Sequence, residues 1–295
     1  MKRCFGSHVS VAGGLHLGVE RALEVGCDCL QIFTKNANTW KATPLTDRAI
    51  DAWRKAFDAS GLRHPIAHAS YLINLATPDA TLYEKSIDAL VVEWQRCEAL
   101  KLEGLVLHPG AFTTSDEPTG LKRVIDAVVR AFQTVSPKSC RLLIENTAGQ
   151  GTCLGHSISQ LADILSGSSQ ACSGIGKHLG ICLDTCHAFA AGYAIHTPEG
   201  FRSFTTELND LLPPDSVRAI HLNDSKKPLG SRVDRHEHIG RGELGLAAFR
   251  LLMEDPALGR LPGFLETEKG TDPDSGRDWD EINLSVLRSL SQQLA

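Results

Sequence analysis

Eight short apolar segments, each followed by a longer amphipathic segment, are the feature of this 295-residue sequence that most restricts its fold. The apolar segments predict strands at 4–10, 27–33, 64–70, 104–110, 140–146, 178–185, 216–224 and 262–268. The intervening segments carry apolar residues at roughly helical spacing and predict helices at 16–25, 46–60, 79–101, 120–135, 157–166, 199–211, 245–253 and 278–291. Eight strand–helix pairs in a chain of this length predict an α/β fold, a single-domain (β/α)₈ TIM barrel over residues 1–295.

An open, doubly wound sheet would show the same alternation of strands and helices. That fold typically carries a glycine-rich phosphate-binding fingerprint after its first strand, and the Gly13-Gly14 pair does not fit its spacing. The most linker-like segment is SGSSQACSGIG at 166–176. Because it falls between a predicted helix and a predicted strand, we interpret it as a long surface loop and not as a domain boundary.

The composition restricts the class of protein and its compartment. A net charge of −5 and a pI near 6.2 argue against a non-specific nucleic-acid coat protein, but not against an enzyme with a local basic groove. The nine cysteines follow no disulfide-rich spacing, and the N-terminus lacks the apolar core of a signal peptide. We therefore expect an intracellular protein of the cytoplasm or nucleoid, with no membrane association; a nuclear location stays open. Buried packing roles are expected for Cys27, Cys29, Cys182 and Cys186.

Residues that commonly bind metal ions stand at the C-terminal ends of seven predicted strands. They are His8, His68, His108, Glu145, Asp184, His221 and Glu266. In a barrel these strand ends meet on one face, where barrel enzymes place their chemistry. Any one such histidine is more often a hydrogen-bonded structural residue than a ligand. Seven together cannot satisfy one another, because an unpaired buried carboxylate costs several kcal/mol, so the joint pattern predicts a centre that binds divalent cations.

Two local spacings add donors to this centre. Asp184 and His187 lie three residues apart just beyond a predicted strand, so one turn can direct both towards the same pocket. Asp234 and His236 lie two apart, which places both side chains on one face of an extended segment. Mixed nitrogen and oxygen donors suit Zn²⁺, Mn²⁺ or Fe²⁺ better than Mg²⁺ or Ca²⁺. Several histidine–carboxylate groups indicate more than one ion, and closely spaced ions activate water and stabilise phosphoryl transfer.

The segments that hold these residues resemble the signatures of endonuclease IV-type apurinic/apyrimidinic endonucleases. The two longest are GICLDTCHAFAAGY (180–193) and HLNDSKKPLGSRVDRHEHIGRGELG (221–245). The others are GSHVSVAGG (6–14), FTKN (33–36), HASYLINL (68–75), LHPG (107–110) and IENTAGQG (144–151). The resemblance extends from about residue 5 to the LET at 265–267, and long motifs in one order are far more specific than a lone HxH or DxxH.

The resemblance implies a barrel with three zinc ions that cuts DNA on the 5′ side of abasic sites. The first ion would be held by His68, His108 and Glu145, the second by Glu145, Asp184, His221 and Glu266, and the third by His187, Asp234 and His236. Mn²⁺ is an alternative at one or more sites. A hydroxide bridging the first two ions near the catalytic Glu145 would attack phosphorus, leaving 3′-hydroxyl and 5′-deoxyribose phosphate ends. Blocked 3′ ends would be trimmed at the same site.

The resemblance also implies contacts with double-stranded DNA. Tyr71 and Leu72 would insert at the abasic site, Lys35 and Asn36 would touch the backbone, and Lys226, Lys227 and Arg232 would meet phosphate. Without the resemblance, Tyr71 would be interpreted as a packed aromatic side chain at a loop edge. Asn38 stands where relatives carry a wedge arginine, and Ala194 where aspartate is common; neither belongs to the implied ligand set. We expect a monomer with no obligate protein partner.

Two other functions fit parts of the pattern. A sugar isomerase or epimerase on the same type of barrel would also use strand-end histidines and carboxylates with one or two ions. It would not need the third cluster of His187, Asp234 and His236, so the number of bound ions discriminates between the two. A catalytically silent binder of damaged DNA would have no use for a bridging Glu145, and binding without turnover would favour it.

Overall fold

The computed structural model describes residues 3–292, in which eight parallel strands close into a barrel surrounded by helices. The elements are β1 (Phe5–His8), α1 (Leu15–Glu24), β2 (Cys29–Ile32), α2 (Asp47–Ser60), β3 (Arg63–His68), α3 (Ala80–Leu100), β4 (Gly104–Leu107), α4 (Glu117–Val135), β5 (Arg141–Glu145), α5 (Ile158–Ala171), β6 (Leu179–Asp184), α6 (Thr185–Ala191), α7 (Pro198–Leu211), β7 (Val217–His221), β8 (Asp224–Ser225), β9 (His236–Glu237), α8 (Gly245–Glu254), β10 (Gly263–Leu265) and α9 (Trp279–Gln292). Strands β1 to β7 and β10 form the barrel, and β1 pairs with both β2 and β10. The predicted TIM barrel is confirmed.

The barrel interior explains why polar residues gather at one end. A small apolar cluster fills the interior, and it contains Cys29, Ile66, Val106, Leu143, Cys182, Ala219 and Phe264. Side chains two positions apart in a strand point to the same face. The residues two positions later are Gln31, His68, His108, Glu145, Asp184, His221 and Glu266. Seven of the eight barrel strands therefore place one apolar side chain inside the barrel and one polar side chain above it; at β1 the corresponding residues are Cys4 and Gly6.

The cysteines behave as small apolar residues. Cys29 and Cys182 belong to the interior cluster, Cys27 packs between strands and helices, and Cys186 is buried at the start of α6. Burial raises the pKa of the Cys27 thiol to about 12 and that of Cys182 to about 11. The predicted packing roles of these four cysteines are confirmed, because a thiol that stays protonated is neither a nucleophile nor a good ligand.

The helices begin where the sequence offers side-chain caps. Thr46, Asp79, Asp116, Ser157 and Thr197 each accept a hydrogen bond from a backbone N–H in the first turn of the helix that follows. Within residues 3–292, no helix has the length and apolar character that crossing a membrane requires.

The segment 166–176 differs from its prediction as a surface loop. Helix α5 continues to Ala171, and a 3₁₀ turn over Ile175–His178 follows. The small residues that resemble a linker lie at a close helix–helix contact, since a Cβ added at Gly167 would come within 2.6 Å of Ile125 Cδ1 on α4. Ser168 is also buried there. Small side chains permit close packing as readily as they permit flexibility, and composition does not distinguish the two.

A two-stranded antiparallel ribbon, β8 and β9, lies outside the barrel and was not predicted. It pairs Asp224 with Glu237 and Ser225 with His236. The Asp224 carboxylate accepts hydrogen bonds from five backbone N–H groups, those of Ser225, Gly240, Gly242, Leu244 and Gly245. A Cβ at Gly242 would lie 2.5 Å from Asp224 Oδ1, so glycine is needed for this approach. These hydrogen bonds to Asp224 therefore stabilise the conformation of the loop that carries Asp234 and His236.

Candidate metal centre

All nine predicted ligands meet at the C-terminal end of the barrel in three groups, of which the first two share Glu145. The groups are His68, His108 and Glu145; Glu145, Asp184, His221 and Glu266; and His187, Asp234 and His236. Within each group the ligand atoms lie within 4.8 Å of one another. Strands β3, β5, β6 and β7 supply a ligand as their last residue, His68, Glu145, Asp184 and His221. The third group comes from α6 and from the loop that ends in β9.

Glu145 lies at the centre and is fully buried. Its Oε2 is 3.1 Å from His68 Nε2 and 3.0 Å from His108 Nε2. Its Oε1 is 2.9 Å from His221 Nδ1 and 3.3 Å from His187 Nδ1. Burial alone would raise the pKa of Glu145, but His221 and His108 outweigh it and hold the pKa well below its usual range. The two oxygens face different groups, as in a carboxylate that bridges two cations.

The third group is built around Asp234. Its Oδ2 lies 3.1 Å from His187 Nε2 and its Oδ1 lies 3.1 Å from His236 Nε2. Burial would lower the pKa of His236, but Asp184 and Asp234 outweigh it and raise the pKa to about 9. The raised pKa of this imidazole means that the carboxylates around it favour positive charge at this position, which a bound cation would also supply.

Hydrogen bonds fix which ring nitrogen of each histidine faces the carboxylates. His68 Nδ1 donates to Ala69 O at 2.7 Å, His187 Nδ1 to Asn146 O at 2.9 Å, and His236 Nδ1 to Glu266 O at 3.2 Å. Each of these rings is left with Nε2 towards a carboxylate: that of Glu145 for His68, and that of Asp234 for His187 and His236. Ligand histidines characteristically donate their second N–H in this way, which fixes the tautomer and the orientation of the ring.

Three buried imidazole nitrogens beside carboxylates show that the site fits cations. The Nε2 atoms of His108, His187 and His236 lie 3.0–3.1 Å from carboxylate oxygens of Glu145 and Asp234, but at angles outside hydrogen-bond geometry. Buried polar atoms are normally satisfied, and a cation shared between these nitrogens and oxygens would satisfy them. A divalent cation coordinated by imidazole nitrogen and carboxylate oxygen satisfies both kinds of ligand atom. Cys186 Sγ also lies near Asp184 and His236, but burial raises its pKa to about 12, so it is a protonated thiol.

Gln31, like Asn223, is a residue of this site that the sequence analysis missed. It is fully buried, and its Oε1 accepts a hydrogen bond from His221 Nε2 at 2.8 Å, which turns His221 Nδ1 towards the carboxylates. Its Nε2 donates to Glu266 Oε1 at 2.6 Å. The available signal was one polar residue in the apolar run CLQIF. His8, predicted as a strand-end ligand type, joins no group within residues 3–292; its Nδ1 lies 3.2 Å from Glu266 Oε1.

Replacing Gln31 with methionine is expected to weaken binding of a divalent cation by about 10- to 100-fold, because the orientation of His221 and Glu266 depends on this amide. The metal-free protein is expected to lose about 2 kcal/mol of unfolding free energy from the unsatisfied partners. Chelator competition and urea unfolding measure the two effects. Gln133→Met, on the exposed face of α4, is the control. Unchanged release of the bound cation in the Gln31 variant would contradict this role of Gln31.

A cleft of about 1600 Å³ opens over the centre, and its lining includes Phe33, Asn36, Tyr71, His108, Lys226 and Glu266. Tyr71 is 62% exposed and stands edge-on to Phe33, with ring centroids 5.4 Å apart. Asn36, Asn38, Lys227 and Arg232 are exposed and Leu72 is half-buried. Lys226 is exposed and its Nζ lies 3.2 Å from Glu268 Oε2. The Lys35 side chain is only 3% exposed.

The fold and these strand-end groups define a class of protein, the TIM barrels with a metal centre at the C-terminal end of the barrel. The comparisons with known proteins agree with that class. The model of the family described as xylose isomerase-like TIM barrel matches residues 19–289. A protein named probable endonuclease 4 from Trichlorobacter lovleyi is 46% identical over 290 residues, which cover 98% of this chain and 100% of that protein. The crystal structure of endonuclease IV from Thermus thermophilus matches with a TM-score of 0.84 and 33% identity, over 98% of this chain and 99% of that one. The chain belongs to the endonuclease IV family of nucleases.

The barrel itself is shared more widely. The crystal structure of a D-tagatose 3-epimerase-like protein matches with a TM-score of 0.71 over 99% of this chain, at 17% identity. A likeness at that identity shows the common fold alone. Function must therefore be argued from the site and from the closer relatives.

Proposed function

We propose that this protein is a DNA-repair endonuclease that hydrolyses the phosphodiester bond 5′ to abasic sites, leaving 3′-hydroxyl and 5′-deoxyribose phosphate ends. The observation that carries the proposal is the third group of His187, Asp234 and His236 beside the Glu145 groups. A phosphodiester requires neutralisation of charge at both the attacking and the leaving oxygen, and three adjoining groups provide for that. Trimming of blocked 3′ ends at the same site belongs to the proposal, as does a single domain over residues 1–295.

Three zinc ions are the proposed cofactors, with Mn²⁺ as an alternative at one or more groups. Bound there, they would supply a nucleophilic water at neutral pH and neutralise charge on the phosphate. Glu145 is the proposed catalytic residue, because each of its oxygens faces a different group. Asp184 and Glu266 would complete the second group, and Asn223 holds both: its Nδ2 donates to Asp184 Oδ2 at 2.6 Å and its Oδ1 accepts from Glu266 N at 2.8 Å.

The proposed partner is double-stranded DNA with an abasic site, bound in the cleft. Tyr71 and Leu72 would enter the gap in the base stack, and Asn36 would approach the backbone. Lys226, Lys227 and Arg232 would meet phosphate, with the net charge of −5 located elsewhere on the surface. Asn38 is exposed on the same loop as Asn36 and is too short to fill the gap as an arginine would. A monomer acting in the cytoplasm or nucleoid is the proposed form.

The first experiment is incision of a labelled duplex that carries one reduced abasic analogue, without added magnesium. The analogue cannot undergo β-elimination, so a cut must be hydrolysis. One cut 5′ to the lesion that leaves a 3′-hydroxyl, from protein whose metal content is known, is the expected result. No cut by metal-loaded protein would reject the proposal and favour the sugar epimerase alternative. Retention of the damaged duplex without a cut would instead favour a silent binder.

Tyr71→Ala is expected to weaken binding to abasic duplex by about tenfold, because stacking of one base on an aromatic ring is worth about 1–3 kcal/mol. Binding to intact duplex should change little, since Tyr71 would find no gap to enter. Titration of both duplexes measures the difference, and Tyr71→Phe is the control that keeps the ring. Equal losses on both duplexes would make Tyr71 a structural residue only.

A further inference from the structure

We infer that Lys35 and Glu93 form a buried ion pair that positions the two loops proposed to read DNA, and that Lys35 acts through this pair and not by contact with phosphate. What the loops bind rests on the proposed function. The tie between the loops, which is the Lys35–Glu93 ion pair with its hydrogen bonds, does not. Lys35 thus has a role different from the contact with the DNA backbone that the resemblance implies. Glu93, which lies outside the motifs, has a role in positioning the loops.

The pair joins three segments. Glu93 lies on α3, is 1% exposed, and has its Oε1 3.4 Å from Lys35 Nζ. Its two carboxylate oxygens both lie 3.2 Å from Ser70 N, so it also accepts the backbone N–H just before Tyr71. Lys35 Nζ in turn donates to Thr39 O at 2.8 Å and to Asn36 O at 3.3 Å. The Lys35 ammonium thus binds backbone carbonyls within the loop after β2, and the Glu93 carboxylate binds a backbone N–H of the loop after β3.

Two further contacts make the two loops one unit. Arg96, one turn after Glu93 on α3, donates to Thr34 O at 3.2 Å and to Thr43 O at 2.9 Å. Ser70 Oγ donates to Ala37 O, which joins the loops directly. The residues proposed to read DNA, Asn36 and Tyr71, are each adjacent in sequence to a tied residue and are exposed. Their positions over the cleft are therefore set from beneath by α3.

Electrostatics argues that Lys35 stays inside. Its side chain is 3% exposed, and moving the ammonium to a phosphate would take from the buried Glu93 carboxylate its charged partner within 4 Å, leaving the Ser70 N–H as its hydrogen-bond donor among residues 3–292. A buried charge that loses its partner is strongly unfavourable. Lys226 provides the contrast: its side chain is 39% exposed and its partner Glu268 is 73% exposed, so its ammonium can exchange that partner for phosphate at little cost.

The salt dependence of DNA binding distinguishes a lysine that contacts phosphate from a lysine that positions a loop. The zinc-loaded full-length protein is titrated with abasic duplex over a range of salt concentrations. Lys226→Met is expected to lower the slope of log affinity against log salt by about 1, as loss of one phosphate contact does. Lys35→Met is expected to weaken binding about tenfold with the slope unchanged, because displaced loops misplace the contacts they carry. A slope that falls by about 1 in Lys35→Met would overturn the inference.

Glu93→Gln tests the carboxylate, with Glu84→Gln as its matched control. Glu84 lies on the same helix and pairs with Arg130 at the surface, so the control makes the same chemical change in an exposed pair. Glu93→Gln is expected to raise KM for abasic duplex about tenfold and to change kcat less than about twofold, since the metal groups are not touched. The double variant Lys35→Met with Glu93→Gln should be no weaker than either single variant, because one tie is broken once.

Hydrogen exchange of the DNA-free protein tests the tie without any assumption about DNA. In Glu93→Gln we expect faster exchange that is confined to residues 34–43 and 69–73. In Glu84→Gln we expect exchange to be unchanged. Unchanged exchange in those segments, or a fall in kcat equal to the rise in KM, would overturn the inference. If wild-type protein fails to incise abasic DNA, the proposed function fails while the exchange result still decides whether Glu93 holds the loops.

Discussion

Incision of abasic DNA by the Glu145→Gln variant is expected to fall at least about a thousandfold, equivalent to about 4 kcal/mol of transition-state stabilisation. The change keeps the shape of the side chain and removes its charge. Glu145 is fully buried, its two oxygens face different imidazoles of the centre, and it is the residue that the first and second groups share. The rate is measured under single-turnover conditions at saturating zinc, so that weaker metal binding does not account for the loss.

Binding of abasic duplex by the same variant should stay within a few-fold of wild type, because the proposed DNA contacts lie on other loops. Glu103→Gln is the control: it is exposed, pairs with His64 at 2.9 Å, and precedes β4 at the opposite end of the barrel. The control should incise normally. Normal incision by Glu145→Gln itself would eliminate a mechanism centred on this carboxylate.

Asp234→Asn is expected to lower the zinc content from the proposed three ions to two and to slow incision by about a hundredfold or more. Asp234 is the only carboxylate in the third group, where it lies 3.1 Å from the Nε2 atoms of His187 and His236. An amide oxygen is a weaker zinc ligand than a carboxylate, and the other two groups do not include this residue. Elemental analysis after dialysis gives the stoichiometry, and a single-turnover assay gives the rate.

Glu237→Gln is the matched control for that variant. Glu237 lies in β9, next to His236, but its side chain accepts the backbone N–H of His238 and belongs to none of the three groups. It should keep three ions and normal incision. A wild-type protein that binds only one or two ions, or an Asp234→Asn variant that incises at the wild-type rate, would contradict the role of the third group and return the sugar epimerase alternative to consideration.

The regular part of the fold could be predicted because it depends on local patterns. Apolar runs indicated eight strands, and the spacing of apolar residues indicated helices such as α3, predicted at 79–101 and observed at Ala80–Leu100. Two features of the structure were not predicted, and for the same reason: each depends on a contact between distant segments. Helix α5 extends through a glycine–serine stretch because Gly167 packs against Ile125, and the β8–β9 ribbon exists because Asp224 binds backbone groups up to 21 residues away. Neither contact has a local signature.

The sequence by itself determined which donors are present and that they stand at strand ends, because side chains alternate along a strand and parallel strands end together. Tertiary structure decided which atoms face the centre. Gln31 turns His221 through a hydrogen bond between residues 190 positions apart, and His8, of the same type and position as the ligands, stays outside. It also decided that Lys35 lies inward against Glu93. Orientation and burial arise from contacts between distant segments, and these form only when the barrel closes.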